Sequence, residues 1–123
     1  MIGIGVDIVS IPRMRETLSR SGNAFINKVF TENEQRDCLT HADRGIYYAK
    51  TFAAKEAVFK TFAIDWVDDM SFRDIEIKNG LHGGPLVAIH GAFEQYFGRK
   101  CAEKILLSIS WEEDTAVAYA AMV

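Results

Sequence analysis

Apolar and small or polar positions alternate from the first residues of the chain. Ile2-Gly3-Ile4-Gly5-Val6-Asp7-Ile8-Val9 predicts a strand with isoleucine and valine on one face. Gly3, Gly5 and Asp7 share the other face, where the glycines admit another element at close range. Ser10 is placed to cap a helix over residues 11–21, with Pro12 in its first turn, where a missing N–H costs nothing. Ile11, Met14 and Leu18 form its inward stripe. Ser21-Gly22-Asn23 breaks the pattern, and a short helical turn through Phe25, Ile26 and Val29 follows. Thr31-Glu32-Asn33-Glu34 is a capping box that opens a short helix ending near His41. Asp43 then caps a long, alanine-rich helix over residues 44–63.

Beyond residue 63 the pattern changes period. Residues 64–71 read as a loop, and Phe72-Arg73-Asp74-Ile75-Glu76-Ile77-Lys78 alternates cleanly, as a half-exposed strand does. Asn79-Gly80 and Gly83-Gly84-Pro85 connect it to a second strand over residues 86–90. Residues 91–100 have helical spacing, with Phe93 and Phe97 on one side. Residues 105–111 and 116–123 predict a hairpin around Glu112-Glu113-Asp114. The last strand is apolar on both faces, which requires a central place in a sheet or cover by a partner. Helices gathered ahead of strands predict an α+β fold, an antiparallel sheet packed against the long central helix.

A length of 123 residues predicts one domain spanning 1–123. Fourteen basic against seventeen acidic residues leave a net charge of −3, which argues against a nucleic-acid binder. The strand-like run after Met1 is too short for a signal peptide or a membrane span. Cys38 and Cys101 form no C-x-x-C pair, so both are expected as free thiols in a reducing cytoplasm. His41, His82 and His90 are too scattered to suggest zinc.

Two stretches carry candidate chemistry. In Phe52-Ala53-Ala54-Lys55-Glu56-Ala57-Val58-Phe59-Lys60, helical spacing puts Phe52, Glu56 and Lys60 on one face, one turn apart. A carboxylate and an ammonium so placed can hold a divalent cation and a phosphate together, although a Glu-Lys pair at this spacing is also an ordinary surface pair. Gly3-x-Gly5-x-Asp7 lacks the third glycine of a dinucleotide fingerprint. Its Asp, at the end of a strand and opposite a helical Glu, suits Mg²⁺, with water and phosphate oxygens completing the coordination.

Together, Gly3-Ile4-Gly5-Val6-Asp7 and the stretch from Phe52 to Lys60 resemble the two signature motifs of the 4′-phosphopantetheinyl transferases. The short chain, Val29-Phe30-Thr31-Glu32-Asn33-Glu34, Phe72-Arg73-Asp74-Ile75-Glu76-Ile77 and the Ser108-Ile109-Ser110 hairpin are similar to the holo-[acyl-carrier-protein] synthase type. The resemblance implies the phosphopantetheinyl transferase fold. It also implies transfer of the phosphopantetheine arm of coenzyme A to a serine of an acyl carrier protein, releasing adenosine 3′,5′-bisphosphate in fatty acid biosynthesis. Asp7 and Glu56 match the family's Mg²⁺ ligands, and Lys60 matches the lysine near the pyrophosphate. Lys55 either reaches a phosphate of the cofactor or is a solvated helix lysine. The serine proton goes to Glu56 or to a metal-bound water. Pro85 and Trp111 match positions at the nucleotide end. The family usually has a histidine where Trp111 stands, and a basic residue before the proline. Trp111 either stacks on adenine or packs the core.

The family also implies a homotrimer with active sites between subunits. Arg13 and Arg20, seven apart on the first helix, match positions that dock the acidic helix of the carrier protein. Two other readings are open: a ribonuclease H-like metal nuclease, which also starts with an Asp-bearing strand, and a non-catalytic carrier-protein-binding subunit.

Overall fold

The computed structural model describes residues 2–100, 102 and 104–123. Strand β1 (Gly3–Ser10) leads into helices α1 (Ile11–Val29), α2 (Glu32–Cys38) and α3 (Arg44–Thr61). A 3₁₀ turn (Phe72–Asp74), β2 (Ile75–Asn79), β3 (Pro85–Ile89), α4 (Ala92–Arg99), β4 (Ile105–Glu112) and β5 (Thr115–Met122) complete the order. The strands form a three-stranded sheet, β1-β5-β4, and a separate β2-β3 pair, and each of these pairings is antiparallel. The α+β expectation holds, and the nuclease alternative, which needs parallel strands, loses its structural footing.

Helix α3 lies across one face of the three-stranded sheet. Ala53, Ala54, Ala57 and Val58 pack in one core with Ala118, Ala120 and Met122 of β5. Small side chains on both surfaces let helix and sheet approach closely. On β1 the approach is closer still: a Cβ at Gly3 would stand 2.0 Å from the Thr61 carbonyl oxygen, and one at Gly5 2.0 Å from that of Ala57. A second core joins Ile11, Met14, Ile26, Val29 and Phe30 to Tyr48 and Ala49 of α3.

The local signals act largely as predicted. The Ser10 hydroxyl accepts from Arg13 N at 3.2 Å, the Thr31–Glu34 capping box is complete, and Asp43 accepts from Ile46 N at 3.1 Å. Gly22, at φ 49°, breaks α1 where a stop is predicted.

Several boundaries move, α2 for one closing at Cys38 rather than near His41, and two of the shifts have a clear local cause. Helix α3 ends at Thr61 rather than at residue 63, because Ala63 takes a left-handed conformation, φ 53°, that closes the helix. Residues 72–74 form a turn rather than the start of a strand. The Ser71 hydroxyl accepts from Arg73 N and tightens that turn, so β2 begins only at Ile75.

Strand β5 is central, with Ala116, Ala118 and Ala120 buried. Its other face belongs to an uncovered apolar surface. The register aligns Ile4, Ala121 and Leu106 in one row, Val6, Tyr119 and Ser108 in the next, and Ile8, Val117 and Ser110 in a third. Ile4, Val6 and Ile8 are 56%, 52% and 69% exposed.

Cys38 is a free, buried thiol, and Cys101 lies outside the described residues. Among the described residues no helix is long and apolar enough to cross a membrane.

Candidate active site

Close packing of α3 on β1 brings the two motifs together. Asp7 follows Gly5 by two residues, so its side chain leaves the strand on the face against which α3 lies. One turn separates Glu56 from Lys60 on that helix. The Lys60 ammonium donates to Asp7 Oδ1 at 3.1 Å and to the Val6 carbonyl at 2.9 Å. Lys60 stays half exposed, while Asp7 keeps only 17% of its side-chain surface. Burial raises the Glu56 carboxyl above the usual carboxylate range. The neighbouring Asp7 charge raises it further, and Lys60 works against both.

The arrangement is two carboxylates near enough for one's charge to act on the other, with one half-exposed cation beside them. Among the described residues no third acid, histidine or cysteine completes a metal-binding cluster with them. Two hard oxygen donors are a set that magnesium takes when water and a phosphate substrate supply the rest. The repulsion that lifts Glu56 is the kind a bound cation relieves.

Lys55 fits neither reading open to it from the sequence. It is fully buried, and its ammonium meets Glu34 Oε1 at 2.8 Å, the Phe72 carbonyl at 2.8 Å and the Ile75 carbonyl at 2.6 Å. An ammonium has three N–H donors, and all three are taken. It is therefore neither solvated nor turned toward a ligand, because its helix position faces the β2 side of the core. Glu34 also accepts from Thr31 N and Ile77 N, each at 2.8 Å. Burial raises the Glu34 carboxyl and lowers the Lys55 ammonium, and each one's charge works against the other's shift.

Pro85 and Trp111, the residues expected at the nucleotide end, form a different group. Trp111 pairs with Ala116, which pairs with Val9, so the tryptophan stands two strands from β1, roughly 10 Å across the sheet. It is 46% exposed, so it does not pack the core. The Lys50 ammonium lies 6.0 Å from its ring centre. Lys50 and Pro85 line one small cavity, about 80 Å³, with Asp37, His41, Thr51 and Asn79. Sequence reading missed Lys50, since its neighbours lie 35 and 61 positions away in the chain and no local pattern marks them.

Arg13 and Arg20 are exposed on α1, and Arg20 pairs with Glu16 at 2.6 Å. Arg15, in contrast, is committed to Asp43 through two hydrogen bonds of 2.8 Å.

Residues 3–120 match the 4′-phosphopantetheinyl transferase superfamily. The chain is 43% identical to the holo-[acyl-carrier-protein] synthase of Desulforudis audaxviator, over 100% of this chain and 93% of that protein. Its fold superposes on the holo-[acyl-carrier-protein] synthase of Neisseria meningitidis with a TM-score of 0.90 and 33% identity, covering 100% and 99% of the two chains. The Helicobacter pylori enzyme, solved in complex with coenzyme A, gives 0.84 and 27%, covering 98% and 99%. An antiparallel α+β frame and a sequence shared with such relatives from end to end mean that the chain belongs to the 4′-phosphopantetheinyl transferase superfamily, in its holo-[acyl-carrier-protein] synthase branch.

Proposed function

We propose that this chain transfers the 4′-phosphopantetheine group of coenzyme A to a serine of an apo-acyl carrier protein. The observation that carries the reading is the convergence of Asp7, Glu56 and Lys60, with the ammonium 3.1 Å from the strand carboxylate. The serine oxygen forms a bond to the phosphorus that bears pantetheine, and the bond from that phosphorus to the bridging oxygen breaks. Adenosine 3′,5′-bisphosphate leaves with the bridging oxygen, and the serine proton goes to a base. Glu56 is the group we take as this chain's own acceptor for that proton. Lys60 offers charge to the bridging and leaving oxygens, where it develops. Transfer of this kind asks mainly for positioning and charge, which a small constellation can supply. Asp7 and Glu56 would hold magnesium, which when bound neutralises the pyrophosphate oxygens.

The active assembly is a homotrimer in which Pro85 and Trp111 of one subunit complete the site of the next. Two features support this: the distance of Trp111 from Asp7 within one chain, and the uncovered apolar face of the β1-β5-β4 sheet. Trp111, with Lys50 beside it, offers a flat surface for adenine in place of the histidine common in the family. Val6→Glu puts a charge on that face and is expected to yield monomers by light scattering and to abolish transfer. Trimers with full activity would disprove the assembly. We place the enzyme in the cytoplasm, with no nucleic-acid or membrane partner.

Mass spectrometry of an apo carrier protein after incubation with coenzyme A and Mg²⁺ tests the reaction itself. A gain of one phosphopantetheine is expected. Binding of the carrier protein without that gain would point to the non-catalytic alternative.

A further inference from the structure

The buried cluster around Lys55 has no part in the chemistry above, yet it sits one residue from Glu56. Its partners come from three places in the chain. Glu34 belongs to the capping box of α2, Phe72 to the 3₁₀ turn, and Ile75 to the first residue of β2. Glu34 itself accepts from Ile77 N, so the α2 cap is tied to β2 as well as to α3. A second carboxylate, Glu76, reaches back to the same cap. It accepts from Thr31 Oγ1 at 2.6 Å and from Asn33 Nδ2 at 3.2 Å.

The opposite side of α3 is held in another way. There Gly3 and Gly5 let the carbonyls of Thr61 and Ala57 approach β1. Such a contact sets how near the helix comes to Asp7. Glycine offers no side chain to interlock, so the contact does little to set the rotation of α3 about its own axis. Rotation decides where Glu56 points, since successive residues are 100° apart on a helix. The faces of α3 packed in the two cores restrict it, and three hydrogen bonds from one buried ammonium, each directional and each to a different residue, fix it on the β2 side.

We infer that Lys55 is the positioning residue for Glu56, a buried clamp that sets the rotation of α3 so that the Glu56 carboxylate meets Asp7 across one cation. The inference rests on the reading of Asp7 and Glu56 as the metal pair. It assigns Lys55 no contact with coenzyme A.

The test uses Mn²⁺, which takes the same oxygen donors as Mg²⁺ and can be counted as free ion by electron paramagnetic resonance. Lys55→Met leaves Glu34 charged and buried without its cation, so this variant is expected to melt at a lower temperature. The double variant Lys55→Met/Glu34→Met buries no unpaired charge and should regain much of that loss. Positioning predicts that both bind Mn²⁺ at least tenfold more weakly than the wild type, with coenzyme A affinity in EDTA changed less than about twofold, a difference near the limit of significance on this scale. Wild-type Mn²⁺ affinity in the double variant would overturn the inference, since a merely stabilising clamp is restored there. Weakened coenzyme A binding in EDTA with unchanged Mn²⁺ affinity would also overturn it, in favour of a phosphate contact. If Asp7→Asn binds Mn²⁺ as the wild type does, the metal pair itself is wrong and the inference falls with it. If Asp7→Asn loses the ion and both Lys55 variants keep it, the Lys55 inference alone fails.

Discussion

Lys55 and Glu56 are neighbours with opposite surroundings, and that contrast governs what each does. Lys60 stands between these cases, half exposed and paired to Asp7, so its charge is available to a substrate. An ammonium that acts on developing charge matters more in the transition state than in the ground state. Lys60→Ala is therefore expected to lower kcat more than it weakens coenzyme A binding, as steady-state kinetics with isothermal titration would measure. A normal kcat with a slightly lower melting temperature would reduce Lys60 to a helix-surface pair worth under about 0.5 kcal/mol. Gly5 belongs to the same scale. A methyl group there meets backbone at 2.0 Å and Lys60 Cβ at 2.8 Å, and backbone cannot swing aside. Gly5→Ala should cost about 3 kcal/mol or more in urea unfolding, at or beyond the top of the usual overpacking range. What survives folded should transfer poorly, because β1 and α3 would be pushed apart at Asp7.

Elements are joined here by caps that serve twice. Asp43 caps α3 through Ile46 N and at the same time receives Arg15 from α1. The Arg15 hydrogen bonds, with that from Ile46, hold its carboxyl at about 2. A carboxyl lowered in the fold stabilises it above its unfolded value near 4, and that contribution is lost as pH falls through about 2. The melting temperature of the wild type should therefore exceed that of Asp43→Asn by an amount that shrinks between about pH 4 and pH 2. A constant gap across that range would show that the Arg15–Asp43 pair does not couple α1 to α3. Gly45 makes room for this pair, since a Cβ there would lie 2.6 Å from Arg15 Nη1.

At the scale of the whole molecule, charge is distributed against its average. Arg13, Arg15, Arg20 and Lys28 against Glu16 give the segment from Ser10 to Lys28 a balance of 4 − 1 = +3, in a chain of net −3. Pairing of Arg15 with Asp43 and of Arg20 with Glu16 tempers that patch, and leaves Arg13 and Lys28 exposed as its available charges. Opposed patches mainly speed encounter and fix orientation, so their effect fades with salt. Arg13→Glu with Arg20→Glu should raise KM for the carrier protein about tenfold at low ionic strength, equal to about 1.4 kcal/mol, and leave KM for coenzyme A nearly unchanged. Unaltered carrier-protein kinetics at low salt would make these arginines an ordinary solvated face.

The sequence by itself determined the elements and the spacing of the candidate groups, because both are written in short-range patterns. Alternation marked β1, a capping box marked α2, helical spacing put Glu56 and Lys60 one turn apart, and two glycines announced the close approach that β1 makes. Short-range patterns end where partners are distant. Lys55 has the same neighbours in sequence whether it is solvated or buried, and only packing against Glu34, Phe72 and Ile75 decides that it is a clamp. The alternation through Phe72 reads as strand, yet a serine hydroxyl and a buried ammonium together favour a turn there. Trp111 could stack or bury equally well by composition, and the register of β4 on β5 leaves it at the surface beside Lys50. Tertiary structure decided these points because burial is a property of what surrounds a residue, and for Lys55 the polar partners come from 17 or more positions away.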